Sequence, residues 1–117
     1  MVTMIASALV ALVAALHLYF LVLEMFFWTK PLGRKVFKLT PEFAEASKAL
    51  AANQGLYNGF LVAGLAWGLA ISDTPIQLFF LGCVVVAGVY GAATVGRKIL
   101  FVQALPAAIA MAAVLMA

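Results

Sequence analysis

The chain has 117 residues, of which 68% are hydrophobic and only 9% charged. A soluble domain carries roughly 45–50% apolar and about 25% charged residues, so this composition excludes a soluble globular fold and a disordered one. One cysteine and one histidine exclude an internal disulfide framework, a multi-cysteine or multi-histidine metal site and bis-histidine haem ligation within one chain. No metal and no cofactor are expected.

A membrane helix needs about 20 mostly apolar residues. Four segments qualify: residues 2–28, 49–71, 76–95 and 99–116. The first lacks a positive leader region, and its apolar run is far longer than the roughly 7–15 residues of a signal peptide, so it reads as a retained helix. Val2 in place of glycine and the lack of a C-terminal prenylation cysteine give no lipidation signal.

The connections are short: residues 29–48, the polar turn Ser72-Asp73-Thr74-Pro75, and Gly96-Arg97-Lys98. Short loops make neighbouring helices antiparallel. The expected fold is all-α, a four-helix transmembrane bundle forming a single domain. All seven Lys and Arg fall on one side of it, as Lys30, Arg34, Lys35, Lys38 and Lys48 in the first connection and Arg97 and Lys98 in the third. The positive-inside rule then places both loops in the cytoplasm and both termini outside. The basic balance becomes a topology signal and a contact for anionic lipid heads, and nucleic acid is not an expected partner. Trp28 at the inner end of span one and Trp67 toward the outer end of span two suit the interfacial aromatic belt.

The first loop carries a helix start. Thr40 reads as N-cap, Pro41 as the first helical residue, and Glu42 and Glu45 complement the positive end of the helix dipole. The second helix therefore begins near Pro41, ahead of its membrane span. Leu32, Val36, Phe37 and Leu39, mixed with the basic residues, suit the inner membrane surface.

Polar side chains inside a bilayer are costly and face protein or a wet cavity. Span one has His17 and Glu24, which share a face about two turns apart. Span two has Asn53, Gln54, Tyr57 and Asn58. Span three has Tyr90 and Thr94, with Cys83 as a small packing residue. Span four has Gln103, followed by Pro106, which denies the Val102 carbonyl its intrahelical donor and favours a kink. These groups concentrate in the inner half, with His17 and Asn58 nearer mid-membrane, while the outer half is nearly free of them. The expectation is a polar pocket open to the cytoplasm. The competing role for each group is interhelical glue, worth about 0.6 kcal/mol per pair. Glu24 is the hardest to explain that way, because a carboxylate near a helix centre costs roughly 2.5–3.5 kcal/mol. Small-residue ridges, Gly55 with Gly59, Gly64 with Gly68, Gly88 with Ala92 and Ala87 with Gly91, favour tight helix packing or a homo-oligomer.

Several strings resemble the small bacterial membrane family named domain of unknown function 1304. They are His17-Leu18-Tyr19-Phe20, Leu23-Glu24-Met25-Phe26, Gly33-Arg34-Lys35-Val36-Phe37, Asn53-Gln54-Gly55-Leu56-Tyr57-Asn58-Gly59-Phe60, Val89-Tyr90-Gly91 and Gln103-Ala104-Leu105-Pro106. The resemblance covers nearly the whole chain and implies a four-helix integral membrane protein. It implies no activity. The glutamate on the first helix is also similar to that of the small multidrug-resistance transporters, but their third-helix Trp-x-Tyr-Gly signature is missing.

No phosphate-binding loop, dinucleotide fingerprint or nucleophile elbow is present. The leading expectation is a homo-oligomeric protein that binds or transports a small molecule or ion. Glu24 is its charged or proton-exchanging group, Asn53, Gln54 and Asn58 orient the ligand, and Tyr57, Tyr90, His17, Thr94 and Gln103 shape the wall. The alternatives are a small membrane enzyme acting on a lipophilic substrate, with Glu24 or His17 as acid or base, and an accessory subunit in which every polar group is glue.

Overall fold

A computed structural model describes residues Met1–Ala117, and every regular element is helical. The order is α1 (Val2–Phe26), α2 (Pro31–Phe37), α3 (Pro41–Ala70), α4 (Thr74–Thr94), a π-helical turn (Leu100–Ala104) and α5 (Leu105–Met116). The chain forms two compact units, one of residues 16–62 and the other of residues 1–15 with 63–117.

Local chemistry sets the helix ends. α1 contains no glycine or proline and runs unbroken for 25 residues. α3 starts where Thr40, Pro41 and Glu42 predict: the Phe43 N–H donates to Thr40 Oγ1 at 3.1 Å. Its 30 residues extend roughly 45 Å at about 1.5 Å per residue, longer than the roughly 30 Å hydrocarbon core. Ser72, in the left-handed region at φ 52°, reverses the chain after α3. Asp73 then caps α4 by accepting from the Ile76 N–H at 2.9 Å. The polar turn is thus shorter than the four residues expected, because Thr74 and Pro75 already belong to α4.

The basic connection is not a plain linker. Pro31 opens the short helix α2 and Lys38 closes it in the left-handed conformation, its N–H donating to the Arg34 carbonyl. Gly33 is buried where a Cβ would collide with the backbone carbonyl of Phe27 and press on the Trp28 backbone, so α2 folds directly against the end of α1.

In the unit of residues 1–15 and 63–117, α4 packs on the π turn and α5. A Cβ on Gly88 would sit 2.6 Å from the Ala104 nitrogen and 2.8 Å from its Cα. The π turn lies immediately before Pro106, and the Leu105 N–H donates to the Leu100 carbonyl, five residues back. The sequence predicts a kink at Pro106. The chain adjusts with a wider turn, which accommodates a proline ring that an α-helical turn would crowd. Leu81, Val84, Ala107 and Ala110 are fully buried in this unit.

The expectation of a four-helix transmembrane bundle is met only at its coarser level. The chain is all-α, and two helices, α1 and α4, are long and apolar enough to cross a membrane. α3 is long, but Glu42, Glu45, Lys48, Asn53, Gln54 and Asn58 lower its apolarity. The last apolar stretch, Leu100–Met116, is shorter than a full span.

The glycine ridges are used inside the chain. Gly55 and Gly59 face α1 side chains, Gly64 faces the Phe80 ring, Gly68 faces Gln77 and Gly91 faces Ile99. Gly82, by contrast, has open space where a side chain would go. Gly88→Ala should therefore destabilise the detergent-solubilised chain by about 1–3 kcal/mol, the usual cost of overpacking a tight contact. Gly82→Ala should leave the melting temperature unchanged, and equal melting of the two variants would contradict the packing described.

Candidate functional site

The site lies in the unit of residues 16–62, where the second half of α1 meets the first two-thirds of α3. Glycine makes the approach possible. A Cβ on Gly55 would lie 3.2 Å from both the Glu24 Cβ and the Leu21 carbonyl oxygen, and one on Gly59 would lie 3.0 Å from Leu21 Cδ1. With no side chains at those two places, the α3 backbone comes close enough for a short amide to reach a carboxylate on α1. Asn58 does so, its Nδ2 donating to Glu24 Oε1 at 2.5 Å. Glu24 is only 5% exposed and Asn58 8%. Gln54, one turn earlier on α3, brings a second side-chain amide near the same carboxylate.

A buried carboxylate without hydrogen bonds is costly, whereas a hydrogen bond to a charged group contributes about 1.5–3 kcal/mol. Two amide donors at 54 and 58 answer that requirement, and their i,i+4 spacing puts both on the α3 face toward Glu24. His17 is completely buried two turns away on α1, edge-on to the Phe20 ring at 5.4 Å, and is engaged within the chain. The arrangement offers a negatively charged or protonatable oxygen pair, steadied by neutral donors, in otherwise apolar surroundings.

The other predicted site residues stand differently. Asn53 and Gln54 are exposed at residue level, so the Glu24 site has one buried amide and one at its edge. Tyr57 is 58% exposed, with its ring edge-on to Phe60. In the other unit, Tyr90 is 70% exposed and borders an almost wholly apolar groove on α4 formed with Phe79, Gly82 and Val86. The Thr94 hydroxyl donates to the Tyr90 carbonyl of its own helix at 2.8 Å, the usual local bond of a helical threonine. Gln103 lies half-buried in the π turn and is also engaged within the chain. Glu24 and Asn58 are thus the pair brought into direct hydrogen bonding, with Gln54 as a second amide beside the carboxylate.

Two polar contacts lie outside the expected set. Gln77 is buried and its Nε2 donates to the Gly68 carbonyl at 3.0 Å, tying the start of α4 to the end of α3. Its position right after the Asp73 cap, next to a glycine ridge, is the only signal the sequence carried. Trp28 Nε1 donates to Ser47 Oγ at 3.0 Å, and Ser47 in turn donates to the Phe43 carbonyl at 2.6 Å. Trp28 is therefore a cross-link between the end of α1 and α3.

The Glu24–Asn58 bond has a specific energetic signature. In detergent, Glu24→Ala and Asn58→Ala should each lower stability, and the double variant should lose less than the sum. A coupling energy of about 0.5–3 kcal/mol is expected for a direct contact. Additive losses would show that the two side chains do not act as a pair.

The family model described as "Protein of unknown function (DUF1304)" matches residues 11–115. The uncharacterized protein YpaA of Lactococcus lactis subsp. lactis (strain IL1403) is 30% identical over 105 residues, covering 86% of this chain and 88% of that protein. No solved structure matches the chain. The matched range includes every member of the Glu24 site together with the basic connection and the π turn, and the chain belongs to the DUF1304 family.

Proposed function

We propose that the chain is a multi-pass inner-membrane protein that binds or transports a small molecule or ion, with Glu24 as the group that meets it. The supporting observation is the buried Glu24 carboxylate bonded to Asn58 inside an apolar unit. A membrane protein that needed only to join two helices could do so with neutral amides, at no risk of burying a charge. A carboxylate at that depth attracts a cationic group or exchanges a proton. Gln54, beside Glu24 yet exposed, stands where a ligand would arrive. Asn58 holds the carboxylate in orientation, and His17 lies deeper along the same helix.

In this reading all four apolar segments span the bilayer. α1 and α4 do so by length and composition, α3 does so with its polar face toward protein, and Leu100–Met116 does so as a short, bent span. The seven basic side chains mark the cytoplasmic side, and both termini lie outside. The exposed Asn53 and Tyr57 on α3 are satisfied by a second copy of the chain or by water at the inner boundary. Neutral amides would suffice for an accessory subunit held together by glue, so the test must turn on the charge of Glu24.

Two measurements check the proposal. An alkaline phosphatase fusion after residue 117 should be active and a fluorescent-protein fusion at the same place dark. The reverse pattern would overturn the outward C-terminus. Mass spectrometry of small molecules co-purifying with the native chain should show a species that Glu24→Gln no longer retains while its helical content and melting are preserved. Equal retention by both proteins would remove Glu24 from ligand handling.

A further inference from the structure

We infer that α2 and its flanks form a binding site for the phosphate of an anionic phospholipid headgroup, centred on Arg34. The inference rests on the membrane reading above but not on Glu24, and it concerns a different part of the same unit.

The segment is built as a fixed platform. Pro31 starts α2, Gly33 seats it on the Phe27–Trp28 backbone, and the Lys38 N–H closes it onto the Arg34 carbonyl. The Trp28 ring stacks obliquely on Phe37 at 4.9 Å, and its indole N–H is held by Ser47. Leu39 N–H also donates to the Arg34 carbonyl at 2.8 Å, so the backbone on both sides of Arg34 is tied down.

On this platform Lys30, Arg34 and Lys38 recur every four residues, with Lys35 beside them. Arg34 and Lys35 lie within α2, while Lys30 and Lys38 are its two caps, Lys30 extended and Lys38 left-handed, so the four cations bracket one short helix. The acidic residues do not neutralise them, because the one ion pair in the structure is Lys48 with Glu45. Lys30, Lys35 and Lys38 are exposed. Arg34 is half-buried, and its Nε is shielded from solvent without a hydrogen-bond partner. An unsatisfied buried donor costs about 1–3 kcal/mol, more for a charged group. A guanidinium presents its N–H groups as a planar fork that fits a phosphate bidentately. An anion with several acceptor oxygens would meet the outer N–H groups of the guanidinium, with a shift of the side chain opening Nε to it, while the flanking ammonium groups neutralise its charge.

The source of that anion follows from position. Trp28 marks the inner interface of α1, and the exposed Leu32 of α2 adds an apolar contact beside the cations. A phosphodiester carried at the end of an acyl chain meets both features, whereas free phosphate uses only the cations. Each Lys or Arg near an anionic surface is worth about a fivefold change in binding.

Native mass spectrometry of the full chain in detergent tests this, with phosphatidylglycerol, phosphatidylcholine and inorganic phosphate as probes. The wild type should retain phosphatidylglycerol over phosphatidylcholine. Arg34→Gln should weaken that retention about fivefold, and Arg34→Lys, which keeps the charge but loses the fork, should fall between. Lys30→Gln with Lys38→Gln alters only exposed side chains and should weaken retention further, which keeps the test decisive even if Arg34→Gln fails to fold. The charge-matched pair Arg97→Gln with Lys98→Gln should bind like wild type. Equal retention by the α2 variants and wild type would overturn the site, as would equal weakening by the Arg97/Lys98 pair. Displacement of phosphatidylglycerol by millimolar inorganic phosphate would overturn the lipid assignment. The Glu24→Gln variant should retain phosphatidylglycerol normally, so failure of the ligand proposal and failure of this one are separately visible.

Discussion

The bond between Asn58 and Glu24 is the constraint around which the unit of residues 16–62 is arranged. A carboxylate that is 5% exposed must have donors, and in an apolar surround those donors come from a neighbouring helix. Meeting that demand dictates the sequence around it. Gly55 and Gly59 remove side chains from the α3 face so that a short asparagine suffices. Gln54 adds a second amide one turn away. Leu23, next to Glu24, is fully buried.

The other unit solves a similar problem without charge. Close backbone approach there depends on Gly88 against Ala104, and on a π turn that widens the helix just before Pro106. The missing side chain at Gly88 lets its helix make a tight dispersion contact with the Ala104 backbone. Gln77 adds one buried hydrogen bond to the Gly68 carbonyl, at a place where a longer side chain lies over a glycine. Both units use small residues to bring backbones together and a few polar groups to set register, and only the first holds a buried carboxylate.

Much of this was legible in the residues. Thr40-Pro41-Glu42 marks the start of α3 because N-capping is local chemistry, and the observed Phe43 N–H to Thr40 bond follows it. Glu24 and Asn58 stand out because polar groups are conspicuous in apolar helices. Other features were hidden. α2 is only seven residues long, and its stability comes from Gly33 and Trp28 packing rather than from any periodic pattern. The π turn was visible only as a proline in a helix, since the way a chain absorbs a proline depends on its neighbours. Tyr90 and Thr94 share a helix face with i,i+4 spacing, but the sequence could not tell that this face is exposed and that the Thr94 hydroxyl bonds to its own helix.

From composition and charge order alone follow the helical class, the apolar segments, the confinement of all seven basic residues to two of the three connections and the short list of polar residues that need partners. These are properties of single residues and of nearest neighbours, and a linear reading captures them. Which polar residues pair depends on helix rotation and on how closely two backbones approach, and both are decided by packing over distances such as the thirty-four positions between Glu24 and Asn58. Folding selected three groups, Glu24, Gln54 and Asn58, from a longer set with equal chemical claims, because glycines at 55 and 59 brought that one stretch of α3 within reach of the carboxylate.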